Sequence, residues 1–259
     1  MLVAALSLSG MSVFWERLPG TQPVPPAWAV AASAVAALLL VLSPRAWHLT
    51  RNAITIAHEG GHALVSVLSG RRLEGIRLHS DTSGETVSRG RRTGPGMVLT
   101  AFAGYVTPPL LGAGAAVLLA VHHVTLLLWA LLLLLVVIAL AMRNAFGMLA
   151  VFVTAVAVSA VTWAGSVSVQ AVFGYGAAWF LLCGGARPVA ELARSRPRRG
   201  RSRRGRWPAS DADQLARLTG VPGGVWVCVF ALVAVAAVVL GARLLIPGSA
   251  HLPHLPQLR

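Results

Sequence analysis

The chain has 259 residues, 56% of them hydrophobic and only 12% charged, with a mean hydropathy of +0.71. A soluble domain is about 25% charged, so the composition excludes an ordinary soluble enzyme and indicates a membrane protein. The net charge is 22 − 8 = +14 and every basic residue is arginine, so the placement of the arginines decides between nucleic-acid binding and membrane topology.

The first stretch, MLVAALSLSGMSVFWERLPG, has an apolar run but no basic residue ahead of it, which argues against a cleaved signal peptide. Apolar runs of about 17–25 residues are long enough to cross a bilayer. Seven segments qualify: Pro26–Leu42, Asn52–Leu68, Gly96–Ala120, Val124–Met142, Phe146–Ala164, Val167–Cys183 and Val225–Ile246. The expected fold is an all-α polytopic membrane protein of about seven transmembrane helices, with residues 1–259 forming one membrane-embedded domain. Cys183 and Cys228 fall inside apolar runs without a Cys or His cluster and read as small hydrophobes.

The second segment is the least hydrophobic, because it carries AHEGGHALVSVL from Ala57 to Leu68. His58 and His62 are four residues apart, so a helix sets both imidazoles on one face, one turn apart, where they can hold one Zn²⁺. Glu59 is rotated about 100° from His58 and is placed to take a proton from an attacking water. This is the H-E-x-x-H arrangement of zinc metallopeptidases. Ionisable groups inside a span cost about 2.5–3.5 kcal/mol each, so three of them together require a function. Gly60 and Gly61 each cost about 1 kcal/mol of helix propensity, a loss explained by close approach of another helix or a peptide backbone.

Residues 71–92 follow as a polar insertion. The alternating Ile76 and Leu78, the SDTSG turn and Thr86–Val87 predict a short β-hairpin, with Asp81 in ordinary turn chemistry. A transmembrane substrate must unwind to expose its peptide bonds, and a strand edge at Gly75–Leu78 or Glu85–Ser88 is expected to pair with it. Residues 185–209 form an arginine-rich linker, followed by SDADQLARLTG.

If the segments alternate sides, the hairpin face collects Arg71, Arg72, Arg77, Arg89, Arg91, Arg92, Arg143, Arg217 and the nine arginines from Arg187 to Arg206. The other face holds Arg45 and Arg51. The positive-inside rule then places the N-terminus, with Arg17, and the arginine loop in the cytoplasm. The linker also suits anionic lipid headgroups. Only Trp207 interrupts it with an aromatic ring, which argues against nucleic-acid reading.

A third zinc ligand is expected from a carboxylate. Asp211 is the choice, brought back to the site by a short re-entrant helix; the competing reading is that Ser210, Asp211 and Asp213 merely cap that helix. His48, His79, His122, His123, His251 and His254 have no partner at ligand spacing and read as solvated.

At these residues the chain resembles the site-2 protease family of intramembrane zinc metallopeptidases. HEGGHALVSVLSG is followed by a hairpin, then by Ala103-Gly104-Tyr105 and Pro108-Pro109-Leu110-Leu111-Gly112. Near the end come Ser210-Asp211-Ala212, Leu215-Ala216, Leu218-Thr219-Gly220, Pro222 and Trp226, a pattern closest to a bacterial branch. The resemblance implies zinc ligands His58 and His62, catalytic Glu59, proteolysis of membrane-anchored protein substrates, and the bacterial plasma membrane. Well-studied members take a third ligand from an Asp-Gly pair on a later helix; here Asp81, Asp211 and Asp213 are the only aspartates and none precedes glycine.

Two rival functions fit the composition. One is a catalytically inactive relative acting as a binding or regulatory protein. The other is a transporter with His58, Glu59 and His62 along its path, which would call for paired inverted repeats that the sequence lacks.

Overall fold

The structure, a computed structural model, describes residues 20–201 and 210–246. His251 and His254, Arg17, and the linker stretch 202–209 lie outside the described residues. The elements run α1 (Ala27–Leu42), α2 (Pro44–Leu68), β1 (Arg72–Leu78), β2 (Gly84–Arg89), α3 (Pro95–Ala120), α4 (Val124–Ala141), α5 (Ala145–Ala164), α6 (Val167–Arg201), α7 (Asp211–Thr219) and α8 (Gly223–Leu245). The fold is mostly helical with one small antiparallel sheet, as the hydropathy pattern implies.

Among the described residues five helices, α3, α4, α5, α6 and α8, are long and apolar enough to cross a membrane. The helices α1 and α2 meet the same test only as a pair bent by 99°, giving up to six spans. The bend falls at Ser43, which caps α2 and precedes Pro44, a residue that favours the first turn of a new helix over continuation of the old one. The first half of α2 carries Arg45, His48, Arg51 and Asn52, so it lacks the continuous apolar surface of a straight crossing.

This bend changes the expected topology. Gln22 donates its backbone N–H to the His122 carbonyl at 2.9 Å, and its side-chain oxygen accepts from Thr125 N at 3.1 Å. The start of α1 therefore sits at the α3–α4 turn. The hairpin is tied to the opposite end, at the α4–α5 turn, by Arg143 N–H donating to Ile76 O at 2.9 Å. The entering chain and the hairpin lie at different ends, contrary to the expectation from seven alternating segments. Arg51 also changes sides: it reaches Glu191 at 3.7 Å, near the arginine-rich end of α6. The helix α6 continues to Arg201, so the first part of the 185–209 segment is helical.

Small residues set the packing around the site helix. A side chain at Gly61 would lie 2.2 Å from Thr107 Oγ1 and 3.1 Å from the Ala103 carbonyl, so glycine lets α2 and α3 approach closely. Gly112 and Gly185 do the same where α3 crosses α6: a Cβ at Gly185 would meet Pro109 at 2.6 Å, and one at Gly112 the Leu182 backbone at 2.8 Å. Pro108 and Pro109, inside α3, are buried in this crossing.

In the hairpin, Ile76 and Leu78 are fully buried, on the side the alternation predicts. The register pairs Arg77 with Glu85 and Ile76 with Thr86, with a bulge between Leu73 and Gly75. The turn holds Asp81 as an ordinary turn residue: Ser83 N–H and Oγ donate to its carboxylate at 3.0 and 2.6 Å. Those bonds hold the Asp81 carboxyl below its ordinary range.

Candidate metal centre

The H-E-x-x-H turn lies in the middle of α2, with Glu59 and His62 buried. His58 and His62 Nε2 atoms are 3.2 Å apart. Asp211, at the start of α7, completes a triangle: its Oδ2 lies 3.2 Å from each of those nitrogens. These three residues form a group able to hold a metal ion, and their sequence separation of about 150 residues is closed by α7 folding against α3 and α8.

The donor set can be tested on its own atoms. His62 Nδ1 is 2.7 Å from the Thr100 carbonyl, which only accepts, so Nδ1 carries a proton, and in the neutral imidazole Nε2 is the nitrogen that offers a lone pair to the triangle. Asp211 Oδ2 is buried and receives no hydrogen bond among the described residues, although two imidazoles stand beside it. Electron pairs converging at 3.2 Å repel unless positive charge lies between them, as added protons or as a cation. A tetrahedral ion with ligand bonds of about 2.0–2.1 Å places its donors about 3.3 Å apart, close to the observed edges. Two imidazoles and one carboxylate fit a divalent ion of the zinc type.

Asp211 and Asp213 divide two tasks. Ser210 Oγ accepts from Asp213 N, and the Asp213 carboxylate accepts from Ser210 N at 3.1 Å, a reciprocal cap on α7. The cap leaves Asp211 free to face the histidines. Ser210→Ala should cost about 1 kcal/mol of stability. It should weaken metal binding only several-fold, whereas Asp211→Ala should lower metal affinity by orders of magnitude. Thermal melts beside metal titrations of the two variants check this.

Glu59 is held from the hairpin. Thr86 Oγ1 donates to Glu59 Oε2 at 2.7 Å and lies 3.1 Å from its backbone carbonyl. Gly84 presses on the same carboxylate: a Cβ there would fall 2.6 Å from Glu59 Oε1. The turn is also anchored to α2 by Thr55 Oγ1, which donates to Thr82 O at 3.0 Å. A hydrogen bond to a charged group contributes about 1.5–3 kcal/mol. Thr86→Val should therefore lower kcat/KM about 10- to 100-fold while leaving the bound metal in place, as activity and metal content measured on one preparation would show.

Gly104 and Tyr105, which in the sequence stand only as part of the Ala-Gly-Tyr motif with no role given to them, shape the triangle. Gly104 on α3 leaves room for it: a Cβ would lie 2.4 Å from His62 Nε2 and 2.6 Å from His58 Nε2. Tyr105 meets the His58 ring edge-on at 4.8 Å and stacks on Phe230 of α8 at 5.0 Å, fixing the imidazole from behind. A glycine in a helix interior, at a cost of about 1 kcal/mol, was the available signal for Gly104. His48, His79, His122 and His123 take no part in the cluster.

A helical bundle with several candidate membrane spans and this His, His and Asp group fits the class of membrane metalloproteases. The family model described as Peptidase M50B-like matches residues 31–241, and the chain belongs to that family, within the site-2 protease group. No curated protein and no solved structure matches the chain.

Proposed function

We propose that the protein is an intramembrane zinc metalloprotease that hydrolyses peptide bonds of membrane-anchored proteins, with His58, His62 and Asp211 as zinc ligands and Glu59 as general base. The observation that carries this reading is the 3.2 Å triangle of His58, His62 and Asp211 donor atoms with a buried carboxylate beside it. When bound, zinc supplies a Lewis acid that polarises the scissile carbonyl and acidifies water. Glu59, oriented by Thr86, accepts the proton of the attacking water and returns it to the leaving amine. His62 keeps its ligating tautomer through the Thr100 carbonyl.

Among the described residues, one strand edge is available to the substrate backbone. The outer edge of β1 is taken by residues 142–144: Arg143 N–H donates to Ile76 O, and Asn144 bonds both the N–H and the carbonyl of Leu78. Because Ile76 and Leu78 direct their backbone groups outward, their partners Thr86 and Gly84 do so on the other side. The free edge of β2 thus borders Glu59, and of the two edges expected from sequence it is the one that supports pairing with an unwound substrate. The arginine-rich end of α6 supports an orientation with that end in the cytoplasm, in the bacterial plasma membrane that the resemblance implies.

The test is cleavage of a single-span reporter protein in lipid vesicles by the purified protein. Cleavage that stops on chelation with phenanthroline and returns with added zinc supports the reading. Cleavage unaffected by chelation contradicts it.

A further inference from the structure

A cavity of about 180 Å³ opens beside His58 and Glu59, bounded on the far side by hairpin residues Thr82–Gly84 and by Pro188. Its wall on α2 is made by Trp47, Arg51, Ile54, Thr55, His58 and Glu59. These recur at helical spacing, so a single face of α2 runs from the metal-binding triangle to Trp47 and Arg51. Arg51 is seven residues before His58, about 10 Å along the axis.

At that far end the polar groups are donors in excess. Two guanidiniums, Arg51 and Arg187, share one carboxylate, Glu191. Arg187 takes most of it: its Nε lies 2.9 Å from Glu191 Oε1, its Nη1 donates to the Val41 carbonyl, and its guanidinium stacks 4.7 Å from the Trp47 ring centre. Arg51 reaches Glu191 only at 3.7 Å, beyond hydrogen-bond distance. Trp47 is 3% exposed, and its indole N–H has no acceptor among the described residues. Arg51, a third exposed on the cavity wall, is held among the described residues only by this long ion pair and by the Trp47 ring 5.7 Å away, so its N–H donors remain available to an anionic acceptor entering the cavity.

We infer that Arg51, backed by the Trp47 ring, forms a carboxylate-binding subsite that selects substrates with an acidic side chain near the scissile bond. The inference rests on the peptidase reading above. An extended chain advances about 3.3–3.6 Å per residue, so the span of about 10 Å places the acidic residue within two or three positions of the bond cut.

The test uses cobalt-loaded protein and three peptide hydroxamates that differ only in carrying Glu, Gln or Lys at that position. Binding is read from the visible spectrum of the cobalt, without turnover. The wild type is expected to bind the Glu peptide about 10- to 100-fold more tightly than the Gln peptide. Arg51→Gln should bring the ratio close to one, Trp47→Phe should lower it in part, and Arg51→Glu should turn the preference toward Lys. Equal affinity of the wild type for Glu and Gln peptides, both perturbing the cobalt spectrum, overturns the subsite and leaves the metal centre standing. A protein that takes up no cobalt at all overturns the metal centre, and the subsite with it.

Discussion

The Glu59→Gln variant, purified from membranes, should retain the zinc content of the wild type and lose essentially all cleavage of a membrane-anchored reporter. Glu59 is not part of the 3.2 Å triangle, so its replacement leaves His58, His62 and Asp211 in place. Glutamine is close in shape and still accepts the hydroxyl of Thr86, which donates at 2.7 Å, so the local packing survives. What disappears is the basic oxygen. General acid–base catalysis by a positioned group contributes about 10²–10⁴-fold, and the loss should be at least that large. The His58→Ala and His62→Ala variants should instead lose the metal along with the activity. An active Glu59→Gln protein would contradict the assigned chemistry.

The second large effect is expected at Gly104, a position that donates nothing to the site. Alanine at a helix interior is favoured over glycine by about 1 kcal/mol. The Gly104→Ala protein should therefore fold, and its helix propensity improves. Its Cβ, however, would stand 2.4 Å from His62 Nε2 and 2.6 Å from His58 Nε2, where an ion held by these two nitrogens would sit. Zinc affinity should fall by at least about 100-fold, beyond the usual effect of an outer-shell change. Competition with a chromophoric chelator measures this, and a circular-dichroism melt on the same sample separates loss of metal from loss of fold. Unchanged affinity would mean that the ion, if bound, lies elsewhere.

Different parts of this site were legible to different degrees. His58, Glu59 and His62 could be read because their chemistry is local, set by one helical turn. Asp211 could be narrowed to a few candidates, since only three aspartates exist, but its choice over Asp213 depends on which carboxylate the Ser210 cap uses. The hairpin was visible through the alternation of Ile76 and Leu78, whereas the covering of its β1 edge was not. That covering comes from Met142, Arg143 and Asn144, some 65 residues away. The seven apolar segments counted length and hydropathy correctly in most places, but neither measure registers direction. Ser43–Pro44 turns the chain by 99°, which removes one crossing and carries Arg51 from the face assigned to it to the side of Glu191. The roles of Gly104, Gly84 and Thr86 were hidden for a related reason, although Gly104 and Thr86 stand in motifs that the sequence shows. Their importance lies in what stands opposite them across the bundle, and no pattern within their own segments records it.

The central claim is that one zinc ion is held by two imidazoles and one carboxylate. X-ray absorption spectroscopy of the zinc protein, compared with Asp211→Asn, tests it most directly. The expected result is one zinc per chain, two nitrogen scatterers of imidazole type at about 2.0–2.1 Å and light oxygen scatterers at about 2.0–2.2 Å, with the oxygen shell altered in the variant. A sulfur shell, three imidazoles, or an unchanged spectrum in Asp211→Asn would contradict it.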